Sequence, residues 1–208
     1  MRRNEFSVTE QNEIDDFLQE MSFGIMGTAG LDGWPHLTPI NYAYHNGHIY
    51  IHGSRAGQKM KKIARHKQVS FAVAKEYAII PSYFSDPQLA CPATAYFKSV
   101  HIRGEAQPVD DPTEKAEALS ALMKKLQPEG GYIPIDASDP LYQGELKAVS
   151  VVRIGILDLT AKFKFGQNLS GERRDKLEQD LLARGLPLDP ETAELMRKYC
   201  PHHREEKS

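Results

Sequence analysis

Apolar side chains recur at Ile14, Phe17, Leu18 and Met21, the i, i+3, i+4, i+7 spacing that turns one face of a helix toward a core. Ser7 and Glu10 precede them in the order of a capping box, which predicts a first helix over about residues 8–21. The period then shortens to two. SFGIMGTAG, HLTPINYAY and HIYIHG alternate as strands do, and Asp32-Gly33 and Asn46-Gly47 between them accept the positive φ of tight hairpin turns. A three-stranded antiparallel meander is expected. Met60, Ile63 and Ala64 then offer a short helical face, and VSFAVA at 69–74 is again strand-like, so the order becomes strand, turn, helix, strand.

Residues 77–95 contain three prolines and read as a long loop feeding a fifth strand, YFKSVHIRGEAQPV. Asp111-Pro112-Thr113-Glu114 sets an N-cap, a first-turn proline and a capping-box acid in order before Leu119, Leu122, Met123 and Leu126, which predicts another helix. PEGGYIPIDASDPLYQGE is turn-rich, AVSVVRIGILDLTAKFKF is the last strand region, Ser170 opens a helix ending at Gly185, and Asp189-Pro190 starts one more. Six strand candidates joined mostly by short turns, with helices between and after them, fit a mainly β class: a six-stranded antiparallel barrel with peripheral helices. The chain of 208 residues reads as one domain, with a core at about 8–168, a helical extension at about 169–200 and a disordered tail at 201–208.

Charge narrows the function classes. Lys and Arg total 26 against 28 Asp and Glu, so no global basic field favours nucleic acid or an anionic membrane, and any anion site must be local. Cys91 and Cys200 stand far apart, neither a disulfide scaffold nor a CxxC pair, which fits a reducing compartment. No apolar run follows the first residues and none later is long enough to span a bilayer, so a soluble cytoplasmic protein is expected.

Residues 52–63, HGSRAGQKMKKI, could supply that local site. A phosphate dianion needs converging donors: backbone N–H groups unobstructed by Cβ, a hydroxyl, an open helix N-terminus and a cation. Gly53, Ser54, Gly57, Gln58 and Lys59 supply each of these. The same spacing fits a loop of ordinary turn glycines before a helix whose lysines face solvent, and spacing alone does not choose between the two. Neither G-x-G-x-x-G nor G-x-x-x-x-G-K-[ST] occurs, which removes Rossmann and P-loop readings. His48 and His52 share a strand face but lie about 13 Å apart, too far to ligate one metal ion, so no metal site is expected. His52 alone is either a packed strand-end histidine or an acid/base beside a bound ring. Cys91 lacks a neighbouring base pattern, and Tyr96, Phe97 and Tyr132 serve a core as readily as a ligand.

Taken in order, the first helix, the meander, H-G-S-R-A-G-Q-K-M-K-K-I at a strand-to-helix joint, V-S-F-A-V and Y-F-K-S-V-H-I-R-G-E-A resemble the pyridoxamine 5′-phosphate oxidase-like FMN-binding split-barrel proteins. The likeness is nearest to the flavin-nucleotide-binding subgroup that includes 5-nitroimidazole resistance proteins, and covers about residues 8–185. It implies a split β-barrel in which Gly53, Ser54, Gly57, Gln58 and Lys59 hold the FMN phosphate. The backbone of His36, Leu37, Thr38 and Pro39 would line the isoalloxazine edge, and His52 would lie beside the ring as a candidate catalytic acid/base. It implies a homodimer with FMN at the interface, Tyr96 and Ser99 contacting flavin or closing the site, and Lys164, Gln167 and Asn168 forming a C-terminal flavoprotein motif. The arginine-rich C-terminal segment used for pyridoxal phosphate is missing, so pyridoxamine phosphate oxidation is not expected. The activity implied is electron transfer from a small-molecule donor, such as a nicotinamide, through FMN to a small acceptor such as a nitro compound. A non-catalytic flavin carrier or sensor, or a haem- or deazaflavin-binding split barrel, is the alternative.

Overall fold

The structure is a computed structural model that describes residues 3–30, 32–55 and 57–201; most of the tail read as disordered lies outside the described residues. The chain divides into two compact units, residues 10–73 with 100–160, and residues 1–9 with 74–99 and 161–208.

The larger unit carries the barrel. Its strands are β2 (Phe23–Ala29), β3 (Pro35–Asn41), β4 (Ala43–His45), β5 (His48–Gly53), and parts of β6 (Gln68–Ile80), β7 (Thr94–Val109) and β8 (Ser150–Lys164). The order β3-β2-β6-β7-β8-β5-β4 has a consequence for closure. Its two end strands are neighbours in sequence, separated only by Tyr42, so one extended segment starts at one edge of the sheet and finishes at the other. An antiparallel sheet whose ends are bridged in this way is a barrel opened at one seam, the split barrel. The expected meander is therefore modified: β3 pairs with β2, while β4 pairs with β5, which pairs with β8. Tyr42 marks the break. It is fully buried, its hydroxyl donates to Leu18 O at 2.9 Å, and its N–H donates to Ser22 O. Asn46 and Gly47, with φ of 48° and 74°, make the two-residue turn between β4 and β5.

Helix α1 (Gln11–Glu20) buries Ile14, Phe17 and Leu18 as its spacing predicts. Ser7 does not cap it, however: Ser7 and Val8 form the short strand β1, paired with Lys162 and Ala161 of β8, and a ladder bond replaces the cap. Helix α2 (Gln58–Arg65) buries Ile63, whereas Ala64 is exposed. Helix α3 (Pro112–Leu126) begins as read, Asp111 accepting the Glu114 N–H at 2.8 Å. Its buried Leu122 and Ala118 meet Ala43, Tyr50 and Val151 in a small core. Helix α4 (Pro140–Ala148) begins inside the stretch read as turns; Asp139-Pro140 starts it with the same signal as Asp111-Pro112.

The smaller unit has its own core. Phe165 stacks on Tyr199 and meets Tyr77 and Tyr96 edge-on. Strand β6 runs six residues beyond VSFAVA because Tyr77, Ala78 and Ile80 are still buried, and only Pro81 ends it. Helices α5 (Gly171–Arg184) and α6 (Asp189–Lys198) pack together, and the buried Asp189 carboxylate joins them by accepting two hydrogen bonds from Arg184. The C-terminal helices thus build a core with residues 74–99.

Candidate functional site

Strand β5 ends at His52-Gly53, held in register by Val151 and Ser150 of β8. The chain then turns through Ser54, Arg55 and Gly57 into α2. Gly57 N–H donates to Ser54 O at 3.1 Å, and Gly57 O receives the N–H groups of Met60 and Lys61. Lys59 folds back over the turn, its ammonium donating to His52 O at 2.8 Å. The missing side chain of Gly53 makes room for this, since a Cβ there would stand 2.6 Å from Lys59 Cε and Nζ. Burial holds the Lys59 pKa below the ordinary lysine value, as expected of a cation lacking a carboxylate partner.

The start of α2 carries positive charge, and its own first turn supplies no acid to offset it. Its N-cap, Gly57, provides no side-chain acceptor, and its first turn contains no acid. The unpaired N–H groups of a first turn and the helix dipole both favour an anion there. Lys59 adds a full charge at the same end.

One distant contact joins this turn to α4, and another holds the end of α4 to α3. Arg55 donates to Lys147 O at the end of α4, and buried Lys115 of α3 donates to Leu146 O and Val149 O at 2.9 and 3.2 Å. Both cations therefore sit at the negative end of the α4 dipole. Neither role was legible locally, because α4 itself was hidden among turn residues; the Asp139-Pro140 pair was the signal that could have revealed it.

Strand β2 links this turn to the second predicted group: α2 packs on β2, and β3 is hydrogen-bonded to it. His36, Leu37 and Pro39 are exposed and Thr38 is half-buried, with Thr38 Oγ1 3.4 Å from His36 Nδ1. β3 is an end strand, so it can offer backbone groups to a ligand, and Pro35 and Pro39 are tolerated there. Leu37 and Pro35 border a cavity of 460 Å³ together with Thr28, Arg103 and Leu157.

The His52 ring lies beside Ala118 and Leu122 of α3 at a void of only 10 Å³. Burial and the charge of Lys59 hold its pKa below the ordinary histidine value, which favours the neutral imidazole, and its Nδ1 is buried without a partner among the described residues. The geometry fits a histidine packed at a strand end, whose carbonyl engages Lys59.

Tyr96, Ser99, Lys164, Gln167 and Asn168 belong to the smaller unit. The Gln167 amide is occupied within its own turn, accepting from Phe165 N–H at 2.7 Å and donating to Phe163 O at 2.6 Å. Ser99 Oγ is 3.5 Å from Lys162 O. Lys164 donates to Thr94 Oγ1, and Lys164, Tyr96 and Asn168 border a cavity of 740 Å³. Among the described residues, no helix is long and apolar enough to cross a membrane.

The family model described as pyridoxamine 5′-phosphate oxidase matches residues 10–163. The chain belongs to that family. A curated relative within reach, protease synthase and sporulation protein PAI 2 of Bacillus subtilis strain 168, is 27% identical over 198 residues, 92% of this chain and 93% of the relative. Two solved structures share the fold. The FAD and heme binding protein from Mycobacterium smegmatis matches with a TM-score of 0.64 at 19% identity, covering 87% of this chain and 81% of that one. A candidate 5-nitroimidazole antibiotic resistance protein from Bacteroides thetaiotaomicron matches with a TM-score of 0.59 at 20% identity, covering 75% and 85%. At these identities the two likenesses establish the split barrel of the oxidase family and no more.

Proposed function

We propose that this protein binds FMN by its phosphate at the start of α2 and is an oxidoreductase that reduces a small acceptor such as a nitro compound. The observation that carries the reading is the uncapped, acid-free N-terminus of α2 with half-buried Lys59 folded over Gly53. A phosphate dianion would take N–H groups at the start of the helix, the Ser54 hydroxyl and the Lys59 ammonium together. Membership of the oxidase family and the flavin-binding neighbours of the same fold support flavin over other phosphate esters.

When bound, FMN supplies the hydride and electron transfer chemistry. The chain's own residues anchor, orient and shield. Lys59 and the α2 N-terminus fix one end of the ligand. The exposed β3 backbone at His36, Leu37, Thr38 and Pro39 orients the ring. His52 contributes its carbonyl, which positions Lys59. Trp34, Leu37 and Leu157 are 76%, 65% and 69% exposed, an apolar surface suited to a second copy that would exclude water from the flavin.

The visible spectrum of the purified protein and mass spectrometry of the extracted cofactor test the reading. FMN in the wild type, lost or much weakened in Lys59→Ala, is the expected result. A haem or deazaflavin spectrum, or unchanged FMN affinity in that variant, overturns it. Flavin reduction by NADH or NADPH followed by reoxidation with a nitroimidazole tests turnover; stoichiometric FMN that no donor reduces would make the protein a carrier or sensor.

A further inference from the structure

Five charged residues follow one another at the start of α5, and one of them is buried. Glu172, Arg173, Asp175 and Lys176 are exposed, whereas Arg174 is 8% exposed. An arginine is almost never buried to that degree unless an anion is paired with it, because the guanidinium loses its hydration. Among the described residues Arg174 forms no ion pair, and its Nη1 is buried without a hydrogen-bond partner. Glu178, the carboxylate one turn further along the same helix, is engaged elsewhere, accepting from Arg197 Nε of α6 at 2.8 Å.

The guanidinium lies toward the start of its own helix. Helical side chains lean toward the N-terminus, and a Cβ on Gly171 would stand 4.0 Å from Arg174 Nη2. Gly171 is the first residue of α5, a helix of 14 residues, and the N-cap Ser170 makes no side-chain capping bond. First-turn N–H groups, the positive end of the dipole and a buried cation therefore meet at one place. Arg173 borders the neighbouring 740 Å³ cavity, but Arg174 follows about 100° further round the helix and belongs to the face that buries Leu177 and Leu181.

We infer that the start of α5 is a carboxylate-binding site, in which the Arg174 guanidinium takes both oxygens of the group as a fork and helix-start N–H groups and the Ser170 hydroxyl complete it. Charge selects a monoanion. The site offers one guanidinium and roughly half a charge from the dipole, and the exposed Glu172 in the first turn opposes part of that sum, so a dianion would be left uncompensated. Two sources can supply the group. One is a free monocarboxylate. The other is the chain itself, whose sequence beyond Pro201, HHREEKS, holds Glu205 and Glu206. Helices α5 and α6 pack together across a short connection and so run antiparallel, with Glu178 opposite Arg197. Four residues back on α5 is Arg174, and four residues on from Arg197 is Pro201, so the chain leaves α6 beside the buried arginine. The site lies wholly within the smaller unit and stands independently of the flavin reading.

The experiment measures saturation transfer from the full-length protein to the methyl protons of acetate, with Lys59→Ala as the parent so that the α2 start does not contribute. In the Glu205→Gln/Glu206→Gln variant of that parent the site is open to acetate whichever source fills it, and transfer is expected. Adding Arg174→Lys, which keeps the charge and the aliphatic stem but not the fork, is expected to reduce it roughly fivefold or more. Ser170→Ala, at an exposed position where no fold contact is lost, is expected to weaken acetate binding about threefold. Transfer that rises from the parent to the glutamine variant supports the site and identifies the chain's own glutamates as its occupant. Equal transfer in the two supports the site and identifies a free carboxylate. No transfer in the glutamine variant, transfer undiminished by both Arg174→Lys and Ser170→Ala, or displacement of acetate by inorganic phosphate at a lower concentration than by formate would overturn the inference.

Discussion

Two helices of the larger unit begin in opposite ways. Helix α3 opens with Asp111, Pro112 and Glu114, and the Asp111 carboxylate takes the Glu114 N–H while Glu114 itself accepts from Tyr50 and Arg153. Helix α2 opens with Gly57, Gln58 and Lys59, with no cap, no acid, and a cation where the dipole is positive. The first arrangement satisfies its free N–H groups internally and fastens the helix to the barrel. The second has no side-chain cap from Gly57 and no acid in its first turn, and it sets Lys59 at the positive end of the dipole. On that difference rests the proposal that the start of α2 takes the FMN phosphate.

The largest test removes the cation. Lys59→Ala is expected to cost about 1.5–3 kcal/mol of FMN binding, roughly ten- to a hundredfold in Kd by fluorescence titration, with little change in thermal midpoint. Giving α2 a carboxylate at its start, as α3 has, tests the contrast from the other side. Gly57 has φ of −64°, which any residue adopts, but a Cβ there would stand 3.1 Å from Ser54 O, so the cap gained in Gly57→Asp is offset by crowding and stability is expected to change by no more than about a few tenths of a kcal/mol. The same carboxylate opposes the phosphate, and FMN affinity should fall about tenfold; equal or tighter binding in this variant would remove the anion site from α2. The converse change, Asp111→Ala, is expected to lower stability by about 1 kcal/mol in urea unfolding and leave FMN affinity unchanged.

The smallest effect is that of pH. Phosphate binding favours the charged ammonium, and burial has lowered the pKa of Lys59 in the free protein. Affinity is therefore full below that lowered pKa and declines as pH rises through it, earlier than for an ordinary lysine. A titration from pH 7 to 10 in wild type should show this decline, and Lys59→Ala should lack it.

The contrast between the two helix starts was legible in the sequence because each lies within a few residues. Asp111-Pro112 carries its own conformational preference, and Gly53, Ser54, Gly57 and Lys59 advertise an open turn. Less could be seen of what joins that turn to α4, and α4 to α3. Arg55 reaches Lys147 O across ninety-two positions, and buried Lys115 reaches Leu146 O across thirty-one. His52 was as readable as an acid/base as it was as a packed side chain until α3 was found against it.

By itself the sequence determined the hairpin at Asn46-Gly47, the proline-led start of α3, the apolar face of α1 and the donor set between Gly53 and Lys59. Backbone preference and nearest-neighbour hydrogen bonding decide these, and both are local. Tertiary structure alone decided that Ser7 joins a strand instead of capping a helix, that the β3–β4 segment breaks at Tyr42 to bridge both edges of the sheet, and that Arg174, among the charges that open α5, is the buried one. Such outcomes depend on which distant surfaces are buried together, and ladder bonds and burial between residues far apart override the local preference.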